Sequence, residues 1–233
     1  MKIYAAKVYE IPECFCGRLF DAVDRNRMEK IKTLRNEKER LRSIYAGLLL
    51  RHAFLEEGYG EELWQQIEIV KGNYGKPYMS NCKDFFYSLS HSGEWVICAA
   101  DHAEIGADIQ EVGGLKMAVA GRFYAAGEYD RLLQDAFDKS RQTAEMYRMW
   151  AAKESCVKLT GRGIGAGISK YVTDSAYTHI MDMEENSQFY IKLYESIPGY
   201  IICACSRGES FPESIIMTDI VNITFNMKEK KTC

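Results

Sequence analysis

The chain has 233 residues with 47% hydrophobic content and only four prolines, enough to bury a sizeable core as one larger or two small domains and too apolar for a disordered chain. A formal net charge of -3 excludes a general polyanion binder while leaving room for a local basic patch. The start MKIYAAKVYEI lacks the apolar core of a signal peptide and no run reaches membrane-spanning length, so a cytoplasmic protein without membrane association is expected.

A strand near 2–9 opens the chain and precedes a basic helical stretch over 24–57. Strands follow near 66–71, 84–90 and 95–100. A second set begins with a strand at 104–110 and a helical segment around 113–135, then a helix over 139–160. Strands near 168–174, 177–183, 188–194 and 199–206 complete it, separated by turns such as KGNYGKP and SIPG. The tail FNMKEKKTC is polar and expected to be loose.

The chain repeats itself faintly. Trp95, Ile97, Cys98 and Ala99 map onto Tyr200, Ile202, Cys203 and Ala204 at a constant offset of 105, and the same offset lays YAGLLLR (45–51) on WAAKESC (150–156). Two segments sharing one offset point to duplication, with a seam near residue 104. The expected class is α+β with two pseudo-symmetric halves, each a small, mainly antiparallel sheet packed on a long helix. The divisions are 1–103, 104–206 and a C-terminal extension, 207–233.

Among the eight cysteines, Cys14 with Cys16 and Cys203 with Cys205 form C-x-C pairs that together could make a four-thiolate zinc site. However, YIICACS alternates like a buried strand and C-x-C lacks zinc-knuckle spacing, so free core cysteines are the preferred reading.

Several clusters could carry chemistry. In MWAAKESCVKLTG (149–161), Met149, Ala152, Cys156 and Leu159 form a buried helical stripe, with Lys153, Glu154 and Lys158 beside it. Glu154 and Lys158 are one turn apart, which by itself reads as a surface salt bridge. GADIQ ends a strand in which Asp108 and Gln110 share a face and Glu111 points away. SLSHSG offers Ser90, His91 and Ser92 between strands, and YGKP holds Lys76 extended before proline. Residues 25–51 carry nine Lys or Arg against three Glu, ordinarily a solvated helix face. Together these suggest a phosphate ligand, with Asp108 and Glu154 sharing one Mg²⁺ and basic groups from 30–51, Lys76 and His91 pairing with the phosphates. The glycines of GRGIGAG follow the helix and are a C-cap and loop, not a phosphate cradle.

The ordered motifs Gly75-Lys76-Pro77, Ser90-His91-Ser92, Ile105-Gly106-Ala107-Asp108-Ile109 and Trp150 through Lys158 resemble those of the 4′-phosphopantetheinyl transferases. The resemblance is to the branch that activates carrier domains of surfactin-type peptide synthetases. It implies transfer of the phosphopantetheine arm of coenzyme A to a serine of an apo acyl or peptidyl carrier protein, with release of adenosine 3′,5′-bisphosphate. It implies Mg²⁺ on Asp108 and Glu154, with Glu154 as the base toward serine and Lys158 on the departing phosphate. Lys76, Ser90 and His91 would grip phosphates, and Lys30, Arg35 and Arg42 would meet the 3′-phosphate. Glu128 would orient Lys158 or the ligand. The first half would then make the coenzyme A contacts and the second carry the metal and the catalysis. A monomer with an internal pseudo-twofold is expected. Where the family often has Glu two residues after the metal-binding Asp, this chain has Gln110, whose amide oxygen can still ligate Mg²⁺ or hold its water.

Two other readings stand beside this one. A non-catalytic coenzyme A or carrier-binding module has Gln110 in its favour and intact Asp108, Glu154 and Lys158 against it. A nucleic-acid binder using 25–51 lacks an aromatic-interleaved platform, so no nucleic-acid partner is expected.

Overall fold

The computed structural model describes residues 1–11, 19–114, 121–134, 137–163, 165 and 167–229. Strand β1 (Lys2–Lys7) is followed by two helices, α1 (Arg25–Thr33) and α2 (Glu37–Glu56), where one basic stretch was expected. The break is local: Leu34 leaves α1 in an extended conformation, and Asn36 caps α2 by accepting the Glu39 N–H at 3.1 Å. Then come α3 (Glu61–Gln65), β2 (Ile69–Lys71), β3 (Pro77–Met79), β4 (Phe86–Ser92) and β5 (Trp95–Asp101). Neither α3 nor β3 was expected, and Ser90–Ser92 belong to β4, with Gly93 at φ +53° making the turn.

The second half runs β6 (Ile105–Glu111), α4 (Ala126–Gln134), α5 (Lys139–Thr160), β7 (Tyr171–Thr173), β8 (His179–Asp182), β9 (Ser187–Tyr194) and β10 (Tyr200–Ser206). Residues 115–120 and 135 of the expected helical segment 113–135 lie outside the described residues. Strand β11 (Ile216–Met217) and helix α6 (Ile220–Glu229) follow. Helix α6 corrects the expectation of a loose tail in part: it carries residues 225–229 in helix and lies against α2, with Phe225 packed on that core.

The fold is α+β. One sheet has the order β11-β1-β5-β4 and the other β6-β10-β9-β8-β7. Within them β1-β5-β4 and β6-β10-β9 have equivalent connections, each with a long helix, α2 or α5, against the sheet. The residues related by the offset of 105 have matching surroundings. Ile97 and Ala99 meet Ile202 and Ala204 in a layer shared by the two sheets. Cys98 and Cys203 face the other way, into the separate cores containing α2 and α5.

Beside that layer β4 runs along β6, and serine hydroxyls join them. Ser88 Oγ accepts the Ala107 N–H at 2.9 Å, and Ser92 Oγ accepts that of Glu111 at 2.9 Å. Between them, Ser90 reaches Asp108. The period-2 alternation of β4 puts all three hydroxyls on this side.

Candidate active site

Gly106, Asp108 and Gln110 share the face of β6 toward α5. At Gly106 an added Cβ would collide with the Ser155 carbonyl, so only glycine lets the helix backbone lie directly on the strand. That approach brings Asp108 to Lys158, whose Nζ lies 2.6 Å from Asp108 Oδ1. Ser90 Oγ donates to the same oxygen at 2.7 Å, and Gln110 Nε2 donates to Oδ2 at 2.7 Å. Glu111 points away, its Oε1 accepting the Tyr200 hydroxyl at 3.2 Å.

Glu154 is only 8% exposed and makes no hydrogen bond or ion pair among the described residues. Burial and then the negative charge of Asp108 push its pKa up to about 7, against the opposing pull of Lys158. A carboxylate poised there can exchange a proton near neutral pH.

Glu154 and Lys158 line a cleft of about 460 Å³ whose other walls include Arg27, Lys30, Lys76 and His91. A second cleft of about 580 Å³ adjoins it, sharing Tyr74, Lys76, Pro77, Tyr87 and Gly161. Lys76 Nζ donates to the carbonyls of Leu159 at 2.9 Å and Ile105 at 3.3 Å, at the C-terminal end of α5. Two of its three donors are thus engaged and one remains for a ligand. The His91 pKa is pushed down, first by desolvation and then by Arg42, Lys158 and Lys30, against Glu39.

Arg27, absent from the candidates above, enters the cleft one turn before Lys30. Asp24 orients its guanidinium, accepting from Nε at 3.3 Å, and Gly47 lets α1 press onto α2 at this point. Arg35 instead sits exposed in the link between α1 and α2. Arg42 donates to Gly93 O at 2.8 Å, pairs with Glu39 and lines a separate recess with Glu111. Ser90 spends its hydroxyl on Asp108, so in this structure it holds that carboxylate instead of facing a phosphate.

Two further expectations are corrected. Lys153 does not stand beside Glu154 and Lys158, because it is fully buried and pairs with Glu128 Oε2 at 2.7 Å. Glu128 is therefore committed to Lys153 and not to Lys158. Cys203 and Cys205 are buried free thiols in β10, while Cys14 and Cys16 lie outside the described residues.

A basic cleft walled by both halves, lined by the buried Glu154 and by Lys158 with Asp108 buried behind that lysine, fits the class of enzymes that move groups on phosphate esters. Comparison with known proteins makes the assignment narrower. Residues 104–204 match the family model described as 4′-phosphopantetheinyl transferase superfamily, and 15–103 match 4′-phosphopantetheinyl transferase, N-terminal. The chain is 30% identical over 203 residues to the 4′-phosphopantetheinyl transferase Sfp of Bacillus subtilis, covering 86% of this chain and 89% of that protein. It is 32% identical to psf-1 of Bacillus pumilus (75% and 74% covered) and 28% identical to gsp of Aneurinibacillus migulanus (75% and 72%), both 4′-phosphopantetheinyl transferases. The chain belongs to the 4′-phosphopantetheinyl transferase superfamily and is an enzyme of that class.

Proposed function

We propose that this enzyme moves the 4′-phosphopantetheine arm of coenzyme A onto a serine hydroxyl of an apo acyl or peptidyl carrier protein, with Mg²⁺, releasing adenosine 3′,5′-bisphosphate. The carrying observation is Glu154, buried and unpartnered among the described residues, facing a cleft beside Lys158 and a basic wall of Arg27, Lys30 and Lys76.

The residues fit a hard divalent cation. Burial and then the charge of Asp108 raise the Glu154 pKa, and a cation held by the two carboxylates would offset both effects. Two carboxylates with an amide oxygen from Gln110 supply the oxygen ligands such a cation takes. When bound, Mg²⁺ would neutralise the pyrophosphate oxygens.

The chain's own groups divide the remaining work. Arg27, Lys30 and the free donor of Lys76 pair with the phosphates of coenzyme A. His91, whose pKa is pushed down first by desolvation and then by the cations around it, offers a hydrogen bond without further charge. Glu154 takes the proton of the incoming serine, whose oxygen bonds the β-phosphorus as the bond from that phosphorus to the bridging oxygen breaks. Lys158, one turn along α5, hydrogen-bonds the α-phosphate that leaves with that oxygen. Ser90 and Gln110 hold Asp108 in place.

In this reading 1–103 supplies most phosphate contacts and 104–206 the metal and catalytic groups, which the separate family matches to 15–103 and 104–204 support. Buried free thiols such as Cys98 and Cys156 favour a reducing, cytoplasmic setting, and the reading takes the enzyme as a monomer.

Incubation with coenzyme A, Mg²⁺ and a panel of apo carriers from fatty acid, polyketide and peptide synthetases tests the proposal by intact mass. One phosphopantetheine should appear on at least one carrier. A folded protein that binds coenzyme A and leaves the whole panel unmodified would be a binding module instead.

A further inference from the structure

We propose that the buried Glu128–Lys153 ion pair is a positioning device that sets the rotation of α5 and so aims Glu154 into the cleft. The inference rests on the role assigned to Glu154 above.

The pair joins three elements. Lys153, on α5, pairs with Glu128 of α4 at 2.7 Å and donates to the Tyr171 carbonyl of β7. Glu128 Oε1 also accepts the Thr173 N–H at 2.9 Å and hydroxyl at 3.0 Å, while Oε2 accepts the Ala125 N–H at 2.8 Å. Four donors therefore fill the carboxylate, and the ammonium lies 5.8 Å from the Tyr124 ring centroid. With side chains 0% and 1% exposed, the pair is closed off from bulk solvent.

Successive helical residues point about 100° apart, so a fixed direction for Lys153 fixes that of Glu154. The buried residues of α5 within a turn of Lys153 on the Gly106 side, Ala151, Ala152, Ser155 and Cys156, are small, and the contact with Gly106 allows close approach without a directional bond. The larger Met149, Val157 and Leu159 lie a turn or more away and pack without directional bonds. The ion pair supplies the directional bond that this apolar packing lacks. Stability alone does not explain it, since an apolar pair in place of a buried ion pair is often neutral or stabilising.

The test compares Glu154→Gln, Lys153→Met and the double variant Glu128→Leu/Lys153→Met with wild type. Turnover and KM for coenzyme A are measured with one apo carrier, and stability by urea unfolding. Lys153→Met should lose at least about tenfold in kcat per folded molecule, because misplacing a reacting group is costly. Its KM for coenzyme A should stay within about threefold, since the phosphate contacts are untouched. The double variant should regain stability toward wild type while kcat stays at least about tenfold low. Turnover that returns with stability in the double variant, or wild-type kcat in folded Lys153→Met, overturns the positioning role. Should Lys153→Met not fold, the double variant decides. Wild-type turnover in Glu154→Gln would instead overturn the role of Glu154 itself, whatever the other two show.

Discussion

Lys158 reaches from α5 to β6 and holds Asp108 at 2.6 Å, while Glu154, one turn earlier on the same helix, is left without a partner among the described residues. The ammonium is thus the cation that this pair of carboxyl groups has in the ligand-free protein. Lys158→Met should destabilise it by about 2–4 kcal/mol, because Asp108 loses its counter-charge in a buried place. Added Mg²⁺ should then raise the melting temperature of Lys158→Met more than that of wild type. Equal shifts in the two proteins would mean that Lys158 and the metal do not share this charge.

Glu154 also makes stability depend on pH. Its folded pKa of about 7 lies above the 4.5 of an unperturbed glutamate, so between those values the folded state holds a proton that the unfolded chain has released. Stability from this group is therefore full below about pH 4.5 and is lost as pH rises through 7. Glu154→Gln should be more stable than wild type at pH 8 by up to about 3 kcal/mol, with the gap closing toward pH 4.5. Metal-free urea unfolding at the two pH values measures it, and a gap independent of pH would remove the case for a desolvated Glu154.

Arg27→Ala and Lys30→Ala should each weaken coenzyme A binding by about 1.5–3 kcal/mol, as for a lost charge-assisted contact. Arg35→Ala, exposed and outside the cleft lining, should change it little, and Arg42→Ala should act mainly through Glu39 and the Gly93 turn. Calorimetric titration with coenzyme A ranks the four. A larger loss at Arg35 than at Arg27 would put the phosphates on the other side of α1.

Gly106→Ala should cost about 3 kcal/mol or more, since the new methyl meets backbone of α5 that cannot rotate aside. Urea unfolding reads the loss. A small cost would show that the helix can lift from β6, and turnover of that variant would then report how much the distance matters.

Gln110→Glu replaces an amide donor on Asp108 with a third negative charge. The metal-free protein should be less stable, yet half-maximal turnover should need less Mg²⁺. Glu111→Gln, whose side chain points to Tyr200, should leave the metal titration unchanged. A metal titration at saturating coenzyme A separates the two, and an effect at Glu111 alone would contradict the register of β6.

Much of this site was legible because it lies on regular elements. The alternation of β6 put Asp108 and Gln110 on one face and Glu111 on the other, and the helical spacing of Glu154 and Lys158 put them one turn apart. The offset of 105 found the paired strands β5 and β10 because buried strands leave a readable apolar pattern. The basic stretch was different. Arg27, Lys30, Arg35 and Arg42 look alike in sequence, and the one that enters the cleft beside Lys30 is selected by the break at Leu34 and by the close packing at Gly47. Lys153 was misread for a similar reason: its burial depends on Glu128, 25 residues away in sequence by position, and no local period records such a pairing. The expected strand stops at Ser90 because serine and glycine signal turns, whereas β4 runs on through His91 to Ser92 and its serines face a neighbouring strand.

The last strand pairs with the first. β11 lies parallel to β1, with Ile216 opposite Tyr4, and α6 rests on α2, so residues 216–229 complete the half built from residues 2–101. During synthesis the first sheet emerges early but lacks one edge strand and a covering helix until the entire second half has left the ribosome. The second half has all five strands of its own sheet by residue 206. The half that is made first is therefore the one finished last, and a ribosome stalled between residues 206 and 216 would display it with β1 as an open edge.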